Sequence, residues 1–66
     1  MIIEGILKRK DIGPGVWVLE SKDQTWTLKG SVPKHQENQR MRLEGEPEQS
    51  FGFAMTGPVF VVYAVV

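Results

Sequence analysis

The stretch TWTLK, residues 25–29, alternates large apolar side chains with threonine and lysine. A period of two places every second side chain on the same face, which is typical of a strand with one buried face. Trp26 and Leu28 are therefore predicted to point into a core. Residues 40–44, RMRLE, repeat the pattern and predict Met41 and Leu43 as inward side chains.

Two further strands precede this stretch. Residues 16–20, VWVLE, are predicted to direct Trp17 and Leu19 inward and the two valines outward. A polar link at residues 21–24 predicts a hairpin turn into the next strand. The first strand is placed at residues 2–9, and its predicted inward side chains are those of Ile3, Gly5 and Leu7.

The remaining segments connect or complete the strands. Two glycines and a proline in DIGPG, residues 11–15, end the first strand. A polar stretch at residues 31–39 shows no alternation and predicts a loop or a short helical turn. Residues 50–55 alternate again, and a turn at residues 56–58 leads into the last strand, residues 59–66.

This order of three strands, a polar crossover and two strands predicts an all-β fold in a single domain, residues 1–66. We expect a five-stranded antiparallel Greek-key barrel of the OB type, with an insert between its third and fourth strands. An SH3-like barrel is the alternative, because it also packs five short strands into a chain of this length.

The last strand, VFVVYAVV, is apolar on both faces. We predict that every second residue from Val59 to Val65 enters the core, which leaves the opposite face exposed. Because exposed apolar surface is typical of an interaction site, the sequence predicts a homo-oligomer, or binding of a protein partner, through this strand. Alternatively, residues 50–55 fold back and cover that face. The predicted interface residues are Ile6, Phe60 and Val62, with Phe51, Phe53 and Met55 as a second element.

The amino-acid composition excludes several kinds of functional site. The 66 residues include no cysteine and a single histidine, His35, so neither a disulfide nor a zinc site is expected. Neither a paired nucleophile and base nor a phosphate-binding loop is recognisable, and the chain is predicted to be non-enzymatic and to hold no cofactor. The apolar runs are too short or too charged for a signal peptide or a membrane span, which predicts a cytoplasmic protein.

Binding of single-stranded nucleic acid is the alternative function, because OB barrels commonly stack bases on aromatic side chains in a basic groove. Two features argue against it. Trp17 and Trp26 are predicted inward, and the net charge is zero, which withholds most of the non-specific electrostatic affinity. The candidate contacts are Lys8, Lys10, Lys29, Arg40 and Arg42.

Five short motifs extend over nearly the whole chain. They are IxGxL at 3–7, GVWVLE at 15–20, WxLxG at 26–30, RMRLEG at 40–45 and TGP at 56–58. Together they resemble a small bacterial family of OB-like domains of unknown function. The motifs consist of inward apolar side chains, strand glycines and a turn. The resemblance therefore implies a fold and a bacterial source, and it implies no activity and no catalytic residue.

Overall fold

Five strands and one short 3-10 turn form the described part of the chain. The computed structural model describes residues 1–11, 13, 15–48 and 58–66. Phe51, Phe53 and Met55, and with them the predicted fold-back of residues 50–55, lie outside the described residues. The elements are β1 (Ile2–Lys10), β2 (Val16–Glu20), β3 (Thr25–Gly30), the 3-10 turn (Lys34–Gln36), β4 (Arg40–Glu48) and β5 (Val59–Val65).

The strands form one sheet that closes on itself in the order β1-β2-β3-β5-β4, with β4 pairing back to β1. Four neighbouring pairs are antiparallel, and β3 runs parallel to β5. The prediction of a closed, five-stranded, all-β fold is confirmed, and the prediction of an antiparallel sheet is matched in part, because β3 and β5 are parallel. Strand directions cannot alternate all the way around a ring with an odd number of members, so one neighbouring pair must be parallel.

Alternation identified most of the core correctly. The predicted inward residues of β1, β3 and β4 are buried, and so is Leu19 of β2. The large apolar side chains among them form one cluster with Phe60 and Val62 of β5. Trp26 meets Phe60 edge to face, with ring centroids 5.4 Å apart and an interplanar angle of 68°. Such an aromatic pair adds about 0.5–1.5 kcal/mol beyond the area that the rings bury.

The predicted facing of β5 is wrong. Phe60 and Val62 are 0% and 1% exposed, whereas Tyr63 is 56% exposed. The neighbours of β5 determine this facing, because Phe60 lies between Leu28 of β3 and Pro47 of β4 and shares the inward face of Leu28. Since β5 is apolar throughout, its own sequence does not show which face is outer. Phe60 and Val62 therefore belong to the core and are not available as interface residues.

Tyr63 follows the buried Val62 and lies on the outer face of β5, and a β-bulge at this position changes the facing from Ala64 onward. The register shifts between Glu44 and Gly45, which pair with residues 64 and 62, so Tyr63 has no partner on β4. An extra residue in one strand reverses the facing of the side chains beyond it. The Tyr63 hydroxyl donates to Oε2 of Glu46 at 2.7 Å, which keeps the tyrosine next to β4 on the outer face.

Two residues of β2 also differ from the prediction. Val18, predicted outward, is completely buried although it lies outside the main cluster. Its neighbours in the ladders to β1 and β3 are Lys8 and Thr27, both half-buried. Trp17, predicted inward, is only partly buried and packs against the cluster. The ladder to β3 ends at Val18, so that no paired β3 residue covers Trp17.

Candidate functional site

Five large apolar side chains are exposed in the described part of the chain, and all lie in, or directly beside, β1 and β5. Isolated exposed apolar residues are common, but a group of them on two strands that flank a third is informative. We call this group the terminal-strand surface. Its members are Met1, Ile2, Tyr63, Val65 and Val66, which are between 44% and 59% exposed.

The middle of β4 brings these residues into one region. On its β1 side, Ile2 pairs with Glu44. On its β5 side, Leu43 pairs with residue 65, and the N–H of Val66 donates to the carbonyl of Arg42 at 3.0 Å. Ile2 and Tyr63 therefore lie on the outer face on either side of the same short stretch of β4, whereas Val65 is opposite the buried Leu43 and takes the inward face at the end of β5.

Carboxylates lie between the two halves of this surface. Glu44 and Glu46 are exposed on β4, which separates β1 from β5. An apolar patch that joins β5 directly to β1 is therefore not formed. Ile6, a predicted interface residue, is half-buried and pairs with Glu20 and Arg40. Its role in an interface stays a prediction.

Tyr63 is the single tyrosine of the chain, and its environment raises its pKa. Its hydrogen bond to Glu46 is the main cause that raises its pKa above the ordinary value of 10.0, followed by desolvation and by the negative charge of Glu46. A neutral hydroxyl donates this bond, and a phenolate cannot. The bond therefore stabilises the neutral form of Tyr63.

We expect an absorbance titration to give Tyr63 a pKa above 10.0, and Glu46→Gln to lower it toward that value. Because the folded-state pKa lies above the unfolded one, the stabilising effect is complete below pH 10.0 and is lost as the pH rises through the folded-state pKa. Glu44→Gln is the matched control, since it removes an exposed carboxylate that does not bond to Tyr63. A parent midpoint at or below 10.0 would contradict the hydrogen bond.

The candidate contacts for nucleic acid, Lys8, Lys10, Lys29, Arg40 and Arg42, lie on three strands. Nζ of Lys29 is 2.6 Å from Oε1 of Glu48, and Nε of Arg40 is 3.1 Å from Oε2 of Glu4. Another strand separates β3 from both β1 and β4. The structure therefore does not gather these five residues into one basic groove.

Strands β2 and β3 separate beyond Val18 and Thr27, where their ladder ends. From that point β2 continues beside β1, with Trp17 opposite Arg9, while β3 continues beside β5. The space between them, about 320 Å³, is called here the β2–β3 groove. Its lining consists of Gly15, Val16, Trp17, Thr27, Leu28, Lys29, Gly30, Val32 and Lys34.

Sequence reasoning missed Trp17 as an accessible aromatic residue. Alternation reports which face of a strand a side chain takes, but not where the ladder to the next strand ends. Trp26, by contrast, lies within the β2–β3 ladder and is 6% exposed, as predicted. VWVLE itself carries no signal of this accessibility, because the end of the ladder depends on the pairing of β3 with β5 from a distant part of the chain.

A second depression, of about 420 Å³, lies at the opposite end of β2 and β3. Its lining includes Lys22 and Asp23 of the hairpin turn and the ion pair of Glu4 with Arg40. Charges of both signs are equally represented among these four residues, so they provide no net charge to select an ionic ligand.

Among residues 1–11, 13, 15–48 and 58–66, no three His, Cys, Asp or Glu side chains are grouped as a metal site requires. No helix in those ranges has the length and apolar character that crossing a membrane would require. Comparison of the whole chain with family models, with curated proteins and with solved structures finds no match.

Proposed function

We propose that the chain is a non-enzymatic binding and assembly module of the OB type that associates with copies of itself through the terminal-strand surface. One observation carries this proposal. The exposed large apolar side chains of the described residues are confined to β1, β5 and the residues next to them, around the middle of β4. Association buries such surface and removes it from water.

The strand order supports the OB assignment. β4 lies beside β1, so the order 4-1-2-3 within the ring is that of a Greek key. The connection from β3 to β4 contains the 3-10 turn, in the place where an OB barrel carries its insert. Both features favour the OB arrangement over the SH3-like alternative. The bacterial source and the cytoplasmic location stay predictions from the sequence.

Size gives self-association a physical motive. A domain of about 60 residues buries only about 60% of the surface that its unfolded chain exposes, and its stability margin is thin. Binding of a second folded copy adds to that margin by mass action. A closed sheet has no unpaired edge, so the copies must meet through side chains rather than by adding strands.

The charges on β4 constrain how two copies meet. Glu44 and Glu46 lie within the proposed interface and need positive partners when water is removed. The exposed Arg42 lies on the same strand. In a two-fold arrangement each surface meets its own copy, and an arrangement that sets Arg42 of one copy against the glutamates of the other supplies these positive partners. A standard interface buries about 800 Å² per partner, roughly a fifth of the 4421 Å² that the chain exposes. We therefore expect weak, concentration-dependent association.

We expect the double variant Ile2→Lys/Tyr63→Lys to be monomeric at concentrations where the parent associates. Each lysine replaces an exposed apolar side chain and lies beside a carboxylate, Glu44 for residue 2 and Glu46 for residue 63. These pairs leave the folded state intact, while the apolar contact between copies is replaced by two charges that must be desolvated. Light scattering measures the mass, and circular dichroism verifies that the variant is folded.

The matched control is Ser31→Lys/Gln39→Lys, which adds the same charge at exposed positions outside the terminal-strand surface. We expect this control to associate like the parent. A folded Ile2→Lys/Tyr63→Lys variant with the mass of the parent at every concentration would show that the interface has been assigned to the wrong surface.

Binding of single-stranded nucleic acid through Lys8, Lys10, Lys29, Arg40 and Arg42 stays the alternative function. It has less support, because Lys29 and Arg40 are engaged with Glu48 and Glu4. The zero net charge also leaves little long-range attraction for a polyanion.

A further inference from the structure

We infer that two copies of the chain recognise each other through reciprocal ion pairs, in which Arg42 of one copy meets Glu44 of the other across antiparallel β4 strands. This inference rests on the proposed self-association. It specifies how the two copies are oriented and which charges the surface selects in a second chain. The observation that carries it is the order of charges along β4.

The exposed charges of β4 are separated by sign along the strand. Successive side chains of a strand alternate between the two faces of a sheet, and Met41 and Leu43 take the buried face. The exposed charged residues that alternate with them run from two arginines to two glutamates, in the order Arg40, Arg42, Glu44 and Glu46. The outer face is therefore positive before Leu43 and negative after it.

The two central charges of this series have no partner in the chain. Nε of Arg40 is 3.1 Å from Oε2 of Glu4, and the Tyr63 hydroxyl donates to the last glutamate of the series. None of the ion pairs of the described residues includes Arg42 or Glu44. Glu4 lies opposite Arg42 in the ladder from β1 but binds Arg40 instead.

Both unpaired charges lie within the terminal-strand surface. The ladder partners of Glu44 are Ile2 on β1 and Ala64 on β5, which are exposed and uncharged. Arg42 is next to Val66, whose N–H donates to the arginine carbonyl at 3.0 Å. Association through this surface removes water from both charges, and a charge that loses water without gaining an opposite charge destabilises a complex. Each copy therefore needs one acidic and one basic partner here.

The order of charges selects one orientation of the two copies. If the two β4 strands lie face to face and parallel, each charge meets its own counterpart, arginine on arginine and glutamate on glutamate. If they lie antiparallel with Leu43 at the centre, Arg42 of each copy meets Glu44 of the other, and the two-fold axis forms this pair twice. Like charges opposed at an interface suppress the first arrangement, and opposite charges favour the second.

The outer pair of charges supports the same orientation. With Leu43 at the centre, Arg40 of one copy lies opposite Glu46 of the other. A guanidinium has five N–H donors, and the bond from Arg40 to Glu4 uses one of them. Glu46 accepts from Tyr63 through Oε2, and its second carboxylate oxygen is a further acceptor. Both residues can therefore keep their bonds within the chain and pair between copies.

The test is charge reversal at the two central positions of the full chain, with association measured by analytical ultracentrifugation. Arg42→Glu and Glu44→Arg each set like charges against one another, and we expect each to raise the dissociation constant at least about tenfold. Two combinations restore opposite charges, namely the double variant Arg42→Glu/Glu44→Arg and an equimolar mixture of the two single variants. We expect both to associate about as tightly as the parent.

The matched controls carry the same changes of charge away from β4. Lys34→Glu is at an exposed position of the 3-10 turn, and Glu20→Arg is at an exposed position of β2, which β1 separates from β4. We expect each control, and their mixture, to associate like the parent. Circular dichroism verifies that every variant is folded.

The outcomes distinguish this inference from the proposed function. A parent that is monomeric at every concentration would overturn self-association and this inference with it. A parent that associates, with single variants that associate equally well, would overturn the ion pairs and leave self-association standing. Single variants that dissociate and recover neither in the mixture nor in the double variant would overturn the antiparallel pairing of Arg42 with Glu44.

Discussion

Replacing Phe60 by alanine is expected to lower the free energy of unfolding by about 3–5 kcal/mol. The side chain is 0% exposed and packs edge to face on Trp26, so its removal leaves a cavity at the point where β3, β4 and β5 meet. At about 0.05–0.15 kcal/mol per residue, a domain of this size holds roughly 3–10 kcal/mol in total. Urea unfolding followed by circular dichroism should show a free energy of unfolding that is lower than that of the parent by about 3–5 kcal/mol, a large part of this total.

The control is Val61→Ala, one residue further along β5. Val61 is half-buried and pairs with the outward Glu46, so we expect a cost of about 1 kcal/mol or less. Alternation in the sequence alone places Val61 in the core and Phe60 outside. It therefore predicts that Val61→Ala destabilises the protein more than Phe60→Ala. A larger loss for Val61→Ala than for Phe60→Ala would restore that facing and contradict the structure.

Replacing Gly45 by alanine is the second change with a large expected effect. A Cβ at this position would overlap the backbone carbonyl oxygen of Val61 and lie 2.9 Å from Cε2 of Phe60. The obstacle is mainly backbone at the bulge, which cannot move without breaking the β4–β5 ladder. We expect a loss of about 3 kcal/mol, at the upper end of what overpacking usually costs, measured by urea unfolding.

Gly13→Ala separates crowding from backbone strain. Gly13 has a φ of 58°, which disfavours a side chain, but among the described residues no atom beyond its chain neighbours lies within 4 Å of a Cβ placed there. We expect it to cost about 1 kcal/mol, as for other non-glycine residues in the left-handed region. If Gly45→Ala is no more destabilising than Gly13→Ala, the close approach of β4 to β5 at the bulge is wrong.

The sequence predicts the strands well wherever polar and apolar residues alternate. TWTLK and RMRLE each carry polar residues that mark the outer face, and the inward assignments of Trp26, Leu28, Met41 and Leu43 are all confirmed. The same holds for Ile3 and Leu7 in β1. In these segments the free-energy cost of burying a charged or hydroxyl group determines which side chains point outward. The sequence of each segment is therefore sufficient to predict its buried face.

The sequence of β5 alone does not determine which of its two faces is buried. Val59 to Val65 carry no charge, so either face satisfies burial equally well, and the choice is made by pairing with β3 and β4. The bulge at Tyr63 then changes the facing within the strand. The prediction that the terminal strand is apolar on both faces agrees with its sequence, and Ala64 and Val66 are exposed as predicted, whereas Phe60 and Val62 are buried and Tyr63 is exposed, contrary to the prediction.

The sequence does not predict the β2–β3 groove, for a related reason. Trp17 fits the inward face of β2, and its accessibility follows from the end of the β2–β3 ladder at Val18. That end depends on β3 pairing with β5 from a distant part of the chain. Long-range pairing of this kind leaves no mark in VWVLE itself.

Light scattering of the unmodified chain through a dilution series tests the central proposal most directly. Self-association through the terminal-strand surface predicts a mass above the 7.5 kDa of one chain at high concentration, falling toward that value on dilution. A mass of 7.5 kDa at every concentration would contradict the proposal and leave the β2–β3 groove as the functional surface to pursue.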